Sequence, residues 1–215
     1  MIGKFSISAL LCLFLLSCAK EDLVPVAGFI SDPNQSMPVG GVKVELWTQQ
    51  IEDGIFAANY VLAGTDTTGS DGKFQFAIEK KQFTGMYLII SKTGYFGYQA
   101  EIKVEKVNSD NSYNADYQLL PKAMIQVRIK NSAPFNSADY FEFRILNGFT
   151  GCQDCCKGDK YQFYGMDVDQ TVDCQTIGHQ FIQIQWLKRR NGEQTTNTER
   201  FFVNAFETTG IDFNF

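Results

Sequence analysis

Residues 71–78 read Asp-Gly-Lys-Phe-Gln-Phe-Ala-Ile and indicate the structural class of this protein. The Asp-Gly pair supplies a tight turn, because glycine takes the left-handed backbone conformation without a steric penalty. After the turn, Phe74, Phe76 and Ile78 occupy every second position, so they share one face of an extended strand. A turn followed by such a strand predicts a β-sheet with one face in a hydrophobic core.

The same alternation continues on both sides of this stretch. Residues 42–46 alternate apolar and charged side chains, and residues 24–30 form an earlier strand that ends in the turn formers of 31–34. Residues 65–72 predict a turn, and the continuous apolar run 87–91 predicts a central strand that is covered on both faces. Two further stretches, 102–104 and 117–119, predict the closing strands, and Pro121 marks their end.

Four short motifs follow one another in this region: Val-Ala-Gly at 26–28, Pro-Val-Gly-Gly-Val-Lys-Val at 38–44, Thr-Asp at 65–66 with Asp-Gly-Lys-Phe at 71–74, and Lys-Thr-Gly-Tyr at 92–95. This ordered series resembles the carboxypeptidase regulatory-like domain over about residues 24–120. The resemblance implies a seven-stranded sandwich of transthyretin-like topology, which usually accompanies another activity and carries no chemistry of its own. The insertion 47–64 departs from the family pattern and leaves the local strand register open.

Beyond Pro121 the alternation resumes, with apolar side chains at every second position of 125–129, 141–145 and 182–186. Residues 188–193 predict a hairpin loop with a tight Asn-Gly turn, and 200–206 and 211–215 complete the set. We therefore predict an all-β protein with two consecutive antiparallel β-sandwich domains, residues 24–121 and 122–215. The alternative layout is a single elongated sandwich that runs through both regions.

The N-terminal segment has the features of a secretory signal. Lys4 supplies the positive charge, residues 9–16 supply a short apolar run, and Leu15-Leu16-Ser17-Cys18 resembles the lipobox of bacterial lipoproteins. The resemblance implies cleavage of a lipoprotein signal peptide, residues 1–17, and attachment of acyl chains to Cys18. The alternatives are an ordinary cleaved signal and an uncleaved anchor, for which the apolar run is short.

Residues 18–23 form the lipidated tether in this interpretation. The sequence Lys20-Glu21-Asp22 resembles the export signal that sends some lipoproteins to the outer face of the outer membrane. We therefore expect an outer-membrane, lipid-anchored and surface-exposed protein, with an inward-facing lipoprotein as the alternative.

Four further cysteines lie in the second half, at Cys152, Cys155, Cys156 and Cys174. Outside the cytoplasm, an even number of clustered cysteines predicts disulfides, and a bond between adjacent Cys155 and Cys156 would be strained. Cys174 is therefore expected to pair with one member of the cluster while the other two close a small ring. The alternative is a zinc site that uses these thiolates with His179, although a second Cys-x-x-Cys is absent.

Catalytic and nucleic-acid-binding signals are missing from this sequence. It contains no Gly-x-Ser-x-Gly, no His-Glu-x-x-His and no phosphate loop, and its single histidine, His179, does not fit the hydrolase branch of transthyretin-like proteins. A net charge of −5 gives no electrostatic footprint for nucleic acid. Asp66 and Asp71 could offer oxygen ligands to calcium, but their spacing favours turn formation. We expect no enzyme activity, cofactor or metal.

Three function classes are consistent with these features; the third is an enzyme built on a pair of Asp or Glu side chains that only the fold could bring together. The first is a non-enzymatic envelope lipoprotein, attached to the membrane through its lipid, that acts as a structural or protein-interaction module at the cell surface. The alternative is a glycan-binding accessory lipoprotein of a polysaccharide-uptake system, in which exposed aromatic rings stack on sugars. The candidate rings are Trp47, Tyr60, Tyr95, Tyr98 and Trp186.

Overall fold

The computed structural model describes residues 22–52, 54–56 and 58–215 of the chain. The predicted signal peptide, 1–17, and the lipidation site, Cys18, lie outside the described residues. The prediction of an all-β fold is confirmed, since the regular structure consists of strands and one short helix. In this part of the chain, no helix is long and apolar enough to cross a membrane.

The first half begins at Leu23 and ends at Gln118. Its elements are β1 (Leu23–Asp32), β2 (Met37–Pro38), β3 (Lys43–Glu52), β4 (Ile55–Phe56), β5 (Val61–Thr67), β6 (Lys73–Glu79), β7 (Phe83–Ser91), β8 (Tyr95–Phe96), β9 (Tyr98–Ile102), α1 (Val104–Asp110) and β10 (Tyr113–Gln118). The second half contains β11 (Leu120–Lys130), β12 (Tyr140–Ile145), β13 (Tyr161–Tyr164), β14 (Asp169–Ile177), β15 (Gln180–Arg190), β16 (Glu193–Val203) and β17 (Thr208–Asn214).

Seven longer strands of the first half form two facing sheets, which we call the N-terminal sandwich. One sheet has the order β6-β1-β10, with β1 antiparallel to β6 and parallel to β10. The other has the order β5-β3-β7-β9 and is antiparallel throughout. The alternating side chains predicted from the sequence fill one shared core, which includes Val26, Ile30, Leu46, Phe76, Leu88 and Ile90.

The C-terminal sandwich repeats this strand order. Its sheets are β14-β11-β17 and β13-β12-β15-β16, and β11 is antiparallel to β14 and parallel to β17. If the seven longer strands of each half are counted along the chain, both halves have the sheet orders 4-1-7 and 3-2-5-6. The second core includes Ile125, Val127, Phe141, Phe143, Ile184 and Phe213. The chain is therefore a tandem repeat of one topology, although the sequence analysis detected no resemblance between its halves.

The two sandwiches follow each other end to end. β1 ends beside the point where β11 begins, since the Leu119 N–H donates a hydrogen bond to the Ser31 carbonyl at 2.9 Å. Core membership changes between Leu119 and Ala123, on either side of Pro121. Independent folding of 24–121 and 122–215 remains a prediction.

Several local expectations were wrong. Residues 102–104 do not form one strand, because β9 ends at Ile102 and α1 begins at Val104; the helix places Val107 over the end of the core. β5 extends through Thr67, so only residues 68–72 of the stretch 65–72, which was expected to be a turn, lie outside a strand. Pro121 does not end a strand but is the second residue of β11.

Other local features agree with the sequence or answer what it left open. In the β15–β16 hairpin, Asn191 and Gly192 both have positive φ, as the predicted tight turn requires. The pairing of β3 with β5 shifts register between Leu46 and Trp47, at the start of the insertion 47–64. Strands β13 and β14 were not predicted, since β13 has only four residues and the buried positions of β14 are Cys174 and Thr176 instead of large apolar side chains.

Candidate functional site

The four cysteines of the second half form two disulfides. Cys152 pairs with Cys155 and Cys156 pairs with Cys174, with Cα–Cα distances of 5.2 and 4.9 Å. Adjacent Cys155 and Cys156 therefore bond to different partners, as expected. The second bridge attaches the long β12–β13 connection to β14. Because all four sulfur atoms are paired, they offer no thiolate to zinc, and no group of three or more His, Cys, Asp or Glu converges in the described residues.

His179 connects the two sandwiches. It lies between β14 and β15 with φ at 55°, and its Nδ1 is 2.8 Å from Asp32 Oδ2 at the end of β1. The Asp32 side chain is only 6% exposed. Beside this pair, the Asn34 side-chain amide donates a hydrogen bond to the Gly178 carbonyl at 2.9 Å. Sequence analysis could not identify this contact, because 147 residues separate Asp32 from His179.

Aromatic rings complete the junction between the sandwiches. Phe149, in the disulfide-bonded connection, packs edge-on against Phe96 with ring centroids 4.7 Å apart. Tyr95 packs against Phe206 at 5.2 Å, and burial, with the nearby charge of Asp32, raises the pKa of Tyr95. Tyr95 is thus a junction residue and is not available as a sugar platform.

A second cluster of aromatic residues lies on the outer face of the N-terminal sandwich. Trp47 on β3 and Tyr87 on β7 are direct partners in the sheet, and their rings are nearly parallel with centroids 6.2 Å apart. Tyr60 lies across Tyr87 at 4.8 Å. Its position requires Gly85, because a Cβ atom there would lie 2.3 Å from the Tyr60 hydroxyl oxygen. We call Trp47, Tyr60 and Tyr87 the aromatic cluster.

The aromatic cluster borders an open cleft of about 400 Å³. Tyr60 and Tyr87 form an aromatic wall, and the remaining lining includes both the apolar Met86, Ile102 and Val104 and a set of polar side chains: Thr84, Gln99, Glu101, Lys103 and Glu105. Among the described residues, the buried Thr84 hydroxyl oxygen has no hydrogen-bond partner. Rings beside amide, carboxylate and ammonium groups can bind a small polar ligand that has one apolar face.

The sequence named two of the three rings in the cluster and missed Tyr87. Tyr87 belongs to a continuous apolar run, which gives no sign that this side chain faces outward. Trp186 instead packs toward the second core against Phe141, with centroids 6.0 Å apart, and donates a hydrogen bond to Glu199 at 2.6 Å. Tyr98 is on β9, with 38% of its surface exposed, outside the cluster.

Asp66, near the end of β5, and Asp71, in the turn that connects β5 to β6, both accept backbone hydrogen bonds. The Asp66 carboxylate accepts hydrogen bonds from the backbone N–H groups of Thr67 and Gln75 at 2.7 and 2.8 Å. The Asp71 carboxylate accepts one from Lys73 N–H at 3.1 Å. These contacts are those expected from turn formation.

Comparisons with known proteins assign no family. No protein-family model matches the sequence, and no curated protein matches it. Among solved structures, a shaft pilin of Lactobacillus rhamnosus GG aligns over 88% of this chain and 96% of its own, with 9% identity and a TM-score of 0.32. A streptococcal ancillary pilin aligns over 90% of this chain and 63% of its own, with 10% identity and a TM-score of 0.31.

A lipoxygenase of Cyanothece also aligns, over 46% of this chain, with 15% identity and a TM-score of 0.32. This chain spans only 16% of the length of the lipoxygenase. TM-scores this low do not establish a shared fold. We therefore transfer no function from these proteins.

Proposed function

We propose that this protein is a non-enzymatic envelope lipoprotein that acts as a structural or protein-interaction module at the cell surface. It is held in the outer membrane by acyl chains on Cys18. The observation that supports the proposal best is the end-to-end order of the two sandwiches, with a packed junction between them. Such an arrangement suits a spacer that carries its far end away from an anchored N-terminus.

The geometry of the ends agrees with this role. β1 begins at Leu23, only five residues after Cys18, and runs toward the junction, where β11 begins. The opposite end of the molecule includes the end of β11 at Lys130 and the C-terminal Phe215, whose N–H donates to the Lys130 carbonyl at 2.9 Å. Phe135 and Tyr164, near that end, are 55% and 66% exposed and are available to a protein partner.

Identity of the first half as a carboxypeptidase regulatory-like domain is part of the proposal. Seven longer strands in two sheets are the number that the resemblance implies. Its motif glycines also occupy positions that need glycine: Gly72 and Gly94 have φ of 74° and 82°. A Cβ atom at Gly72 would lie 2.6 Å from the Ile30 carbonyl oxygen. In that family the domain carries no chemistry of its own.

The absence of enzyme activity is also proposed from the roles of the reactive side chains. The single histidine is paired with Asp32 at the junction. The four described cysteines are in disulfides. The disulfide-bonded sulfur atoms offer no thiol nucleophile, and the His179 Nδ1 is occupied by its contact with Asp32.

Lipidation can be tested by replacing Cys18 in cells that are fed a clickable fatty acid. We expect Cys18→Ala to abolish labelling and to release the protein from the membrane fraction, while Ser17→Ala, which keeps a small residue before the cysteine, stays labelled. Digestion of intact cells with a protease should remove the wild-type protein if it faces outward. Unchanged labelling of Cys18→Ala would contradict the proposal, and full protection from protease would contradict surface exposure.

The aromatic cluster supports a second candidate function, glycan binding. Sugar rings have apolar faces that stack on tyrosine and tryptophan, while their hydroxyl groups bind amides and carboxylates such as Gln99 and Glu101. Calorimetry with a panel of oligosaccharides would test it. We expect Tyr60→Ala to abolish binding of any oligosaccharide that the wild type binds, whereas Tyr164→Ala, at a more exposed tyrosine in the other sandwich, does not. An absence of binding by the wild type would remove this candidate.

A further inference from the structure

The N-terminal end of the molecule has two unusually exposed apolar side chains. Ile55 and Phe56 form β4, which folds back on the end of β3 in a short hairpin. They are 72% and 70% exposed, the highest values among the large apolar side chains described. We call this pair the hairpin tip. Exposing a phenylalanine and an isoleucine side by side is unfavourable in water and indicates a partner.

The hairpin tip shares its end of the sandwich with the start of the described chain. Ile51 N–H, in β3, donates to the Gln82 carbonyl at 3.1 Å, so the hairpin lies beside the β6–β7 turn. Lys80 N–H, in that same turn, donates to the Asp22 carbonyl at 2.8 Å. The hairpin tip, the β6–β7 turn and Asp22 therefore lie at one end, opposite the junction.

Because the topology is repeated, the connection that carries the hairpin tip has an equivalent in the C-terminal sandwich, and the contacts of that equivalent are known. The hairpin belongs to the connection between the second and third longer strands, β3 and β5. In the C-terminal sandwich, the same connection is 146–160, at the end where β11 begins. There it packs Phe149 against Phe96 of the sandwich that precedes it in the chain. By this equivalence, the hairpin tip faces whatever precedes the N-terminal sandwich.

We infer that the hairpin tip inserts into the lipid surface that holds the acyl chains of Cys18. The inference rests on the proposed lipidation. Four residues, 19–22, separate Cys18 from Leu23, and the five Cα-to-Cα steps between them reach roughly 18 Å when fully extended. The anchor therefore keeps this end of the sandwich close to the bilayer, and it raises the local concentration of lipid seen by two side chains that would bind only weakly alone.

Apolar insertion, and not attraction to anionic lipid, drives the contact. The charges near the tip have both signs: Lys80 and Lys81 follow Glu79, and the Lys81 ammonium is 3.5 Å from the Glu79 carboxylate. A phenylalanine and an isoleucine at a loop tip are suited to the boundary between headgroups and acyl chains. Attachment at two points would orient the molecule, so that the junction and the C-terminal sandwich extend from the membrane.

A tryptophan at the tip reports the contact directly. We propose to purify the lipidated full-length protein as Phe56→Trp, to reconstitute it in vesicles of phosphatidylethanolamine and phosphatidylglycerol with brominated acyl chains, and to measure quenching. The parent protein supplies the background from Trp47 and Trp186. The matched control is Phe135→Trp, near the opposite end. We expect the emission added at residue 56 to shift to the blue and to be quenched, and the emission added at residue 135 to be unaffected.

Mass spectrometry of the same samples separates the two hypotheses. If Cys18 carries acyl chains but the tryptophan at residue 56 is not quenched, the tip contact is wrong and the proposed lipoprotein stands. Equal quenching at residues 56 and 135 would also overturn the inference, since the molecule would then lie flat. If Cys18 carries no acyl chain, both hypotheses fail.

Discussion

The two sandwiches have the same strand order, but they restrain the same connection differently. In the N-terminal sandwich, the β3–β5 connection is a hairpin whose apolar tip is exposed. In the C-terminal sandwich, the equivalent β12–β13 connection is held by two disulfides and packs on its neighbour. One topology is thus compatible with either a projecting or a restrained connection.

The disulfides occur where apolar contacts are few. The β12–β13 connection contains no strand, and its glycines allow close approach of the backbone: a Cβ atom at Gly148 would lie 2.5 Å from the Cys156 carbonyl oxygen. A segment with little core of its own gains most from covalent bonds. The N-terminal sandwich has no cysteine in 24–121. The end of the N-terminal sandwich that lies away from the junction is instead closed by α1, which contributes Val107 to the core.

The largest expected effect comes from separating the halves. Since each half has its own core, residues 22–121 produced alone should fold and unfold cooperatively, which circular dichroism and calorimetry would detect. Its melting temperature should be lower than in the full chain, because the junction contacts are lost. A fragment that stays unfolded would show that the halves are one cooperative unit.

Loss of the longer disulfide should destabilise only the C-terminal sandwich. Cys156 and Cys174 are 18 residues apart, so in the chain-entropy model the double change Cys156→Ala, Cys174→Ala costs about 3 kcal/mol of unfolding free energy. The matched control Cys152→Ala, Cys155→Ala opens a much smaller ring and should cost about 2 kcal/mol. Urea unfolding of the full chain measures both. Equal losses in the two sandwiches would contradict the separate roles described above.

The Asp32–His179 contact at the junction should contribute less to the free energy of unfolding than the Cys156–Cys174 disulfide. Asp32→Asn weakens the buried contact with His179 and should lower the stability of the junction by about 1 kcal/mol. The two halves should then unfold over more widely separated temperatures. Asp71→Asn, which removes an exposed ion pair with Lys73, is the control and should change little. If both variants behave alike, the Asp32–His179 contact does not couple the sandwiches.

The smallest expected difference between the two sandwiches is in how much stability each loses at low pH. Hydrogen bonds from the Tyr140 hydroxyl lower the pKa of Glu142, and those from Arg128 lower the pKa of Asp169. Burial alone would raise the pKa of Asp139, but hydrogen bonds from Phe135 N–H and the Asn131 amide outweigh it, and the pKa is lowered.

These lowered values set the direction of the pH effect. A carboxyl group with a lowered pKa in the folded state stabilises the fold above its unfolded pKa of about 4, and this contribution disappears as the pH falls through the folded value. The C-terminal sandwich should therefore lose stability below about pH 4. Asp169→Asn should reduce that loss slightly, as judged by thermal melts from pH 6 to 2. A larger acid loss in the N-terminal sandwich would contradict this assignment.

How much of the fold was predictable depended on the range of the interactions. Alternation in 42–46, 74–78, 125–129 and 141–145 identified core strands correctly, since neighbouring side chains point to opposite faces whatever the partner strand is. β13 was missed because it has only four residues, and β14 was missed because it buries Cys174 and Thr176, which produce no apolar alternation. α1 was missed because a helix of seven residues carries only a weak signal in the sequence. Such a short helix is stabilised mainly by tertiary packing, here by Val107 against the core.

The candidate site was predictable only in part, for the same reason. Trp47 and Tyr60 could be named from their chemistry, but their union through Tyr87 depends on the pairing of β3 with β7. Likewise, the even number of cysteines predicted two disulfides, while the choice of Cys156 for Cys174 required the folded connection to lie beside β14.

The sequence by itself determined the all-β class, the inward faces of the main strands and the turns that need glycine, because these depend on residues within a few positions of one another. Only the tertiary structure decided the repeat of one topology in both halves, the disulfide pairing and the Asp32–His179 contact. It also decided that the hairpin tip and Asp22 lie at the same end of the N-terminal sandwich. Each of these depends on strand order and on pairs of residues far apart in the chain. Local side-chain patterns do not encode which distant strand becomes a neighbour, since many pairings would bury the same apolar faces.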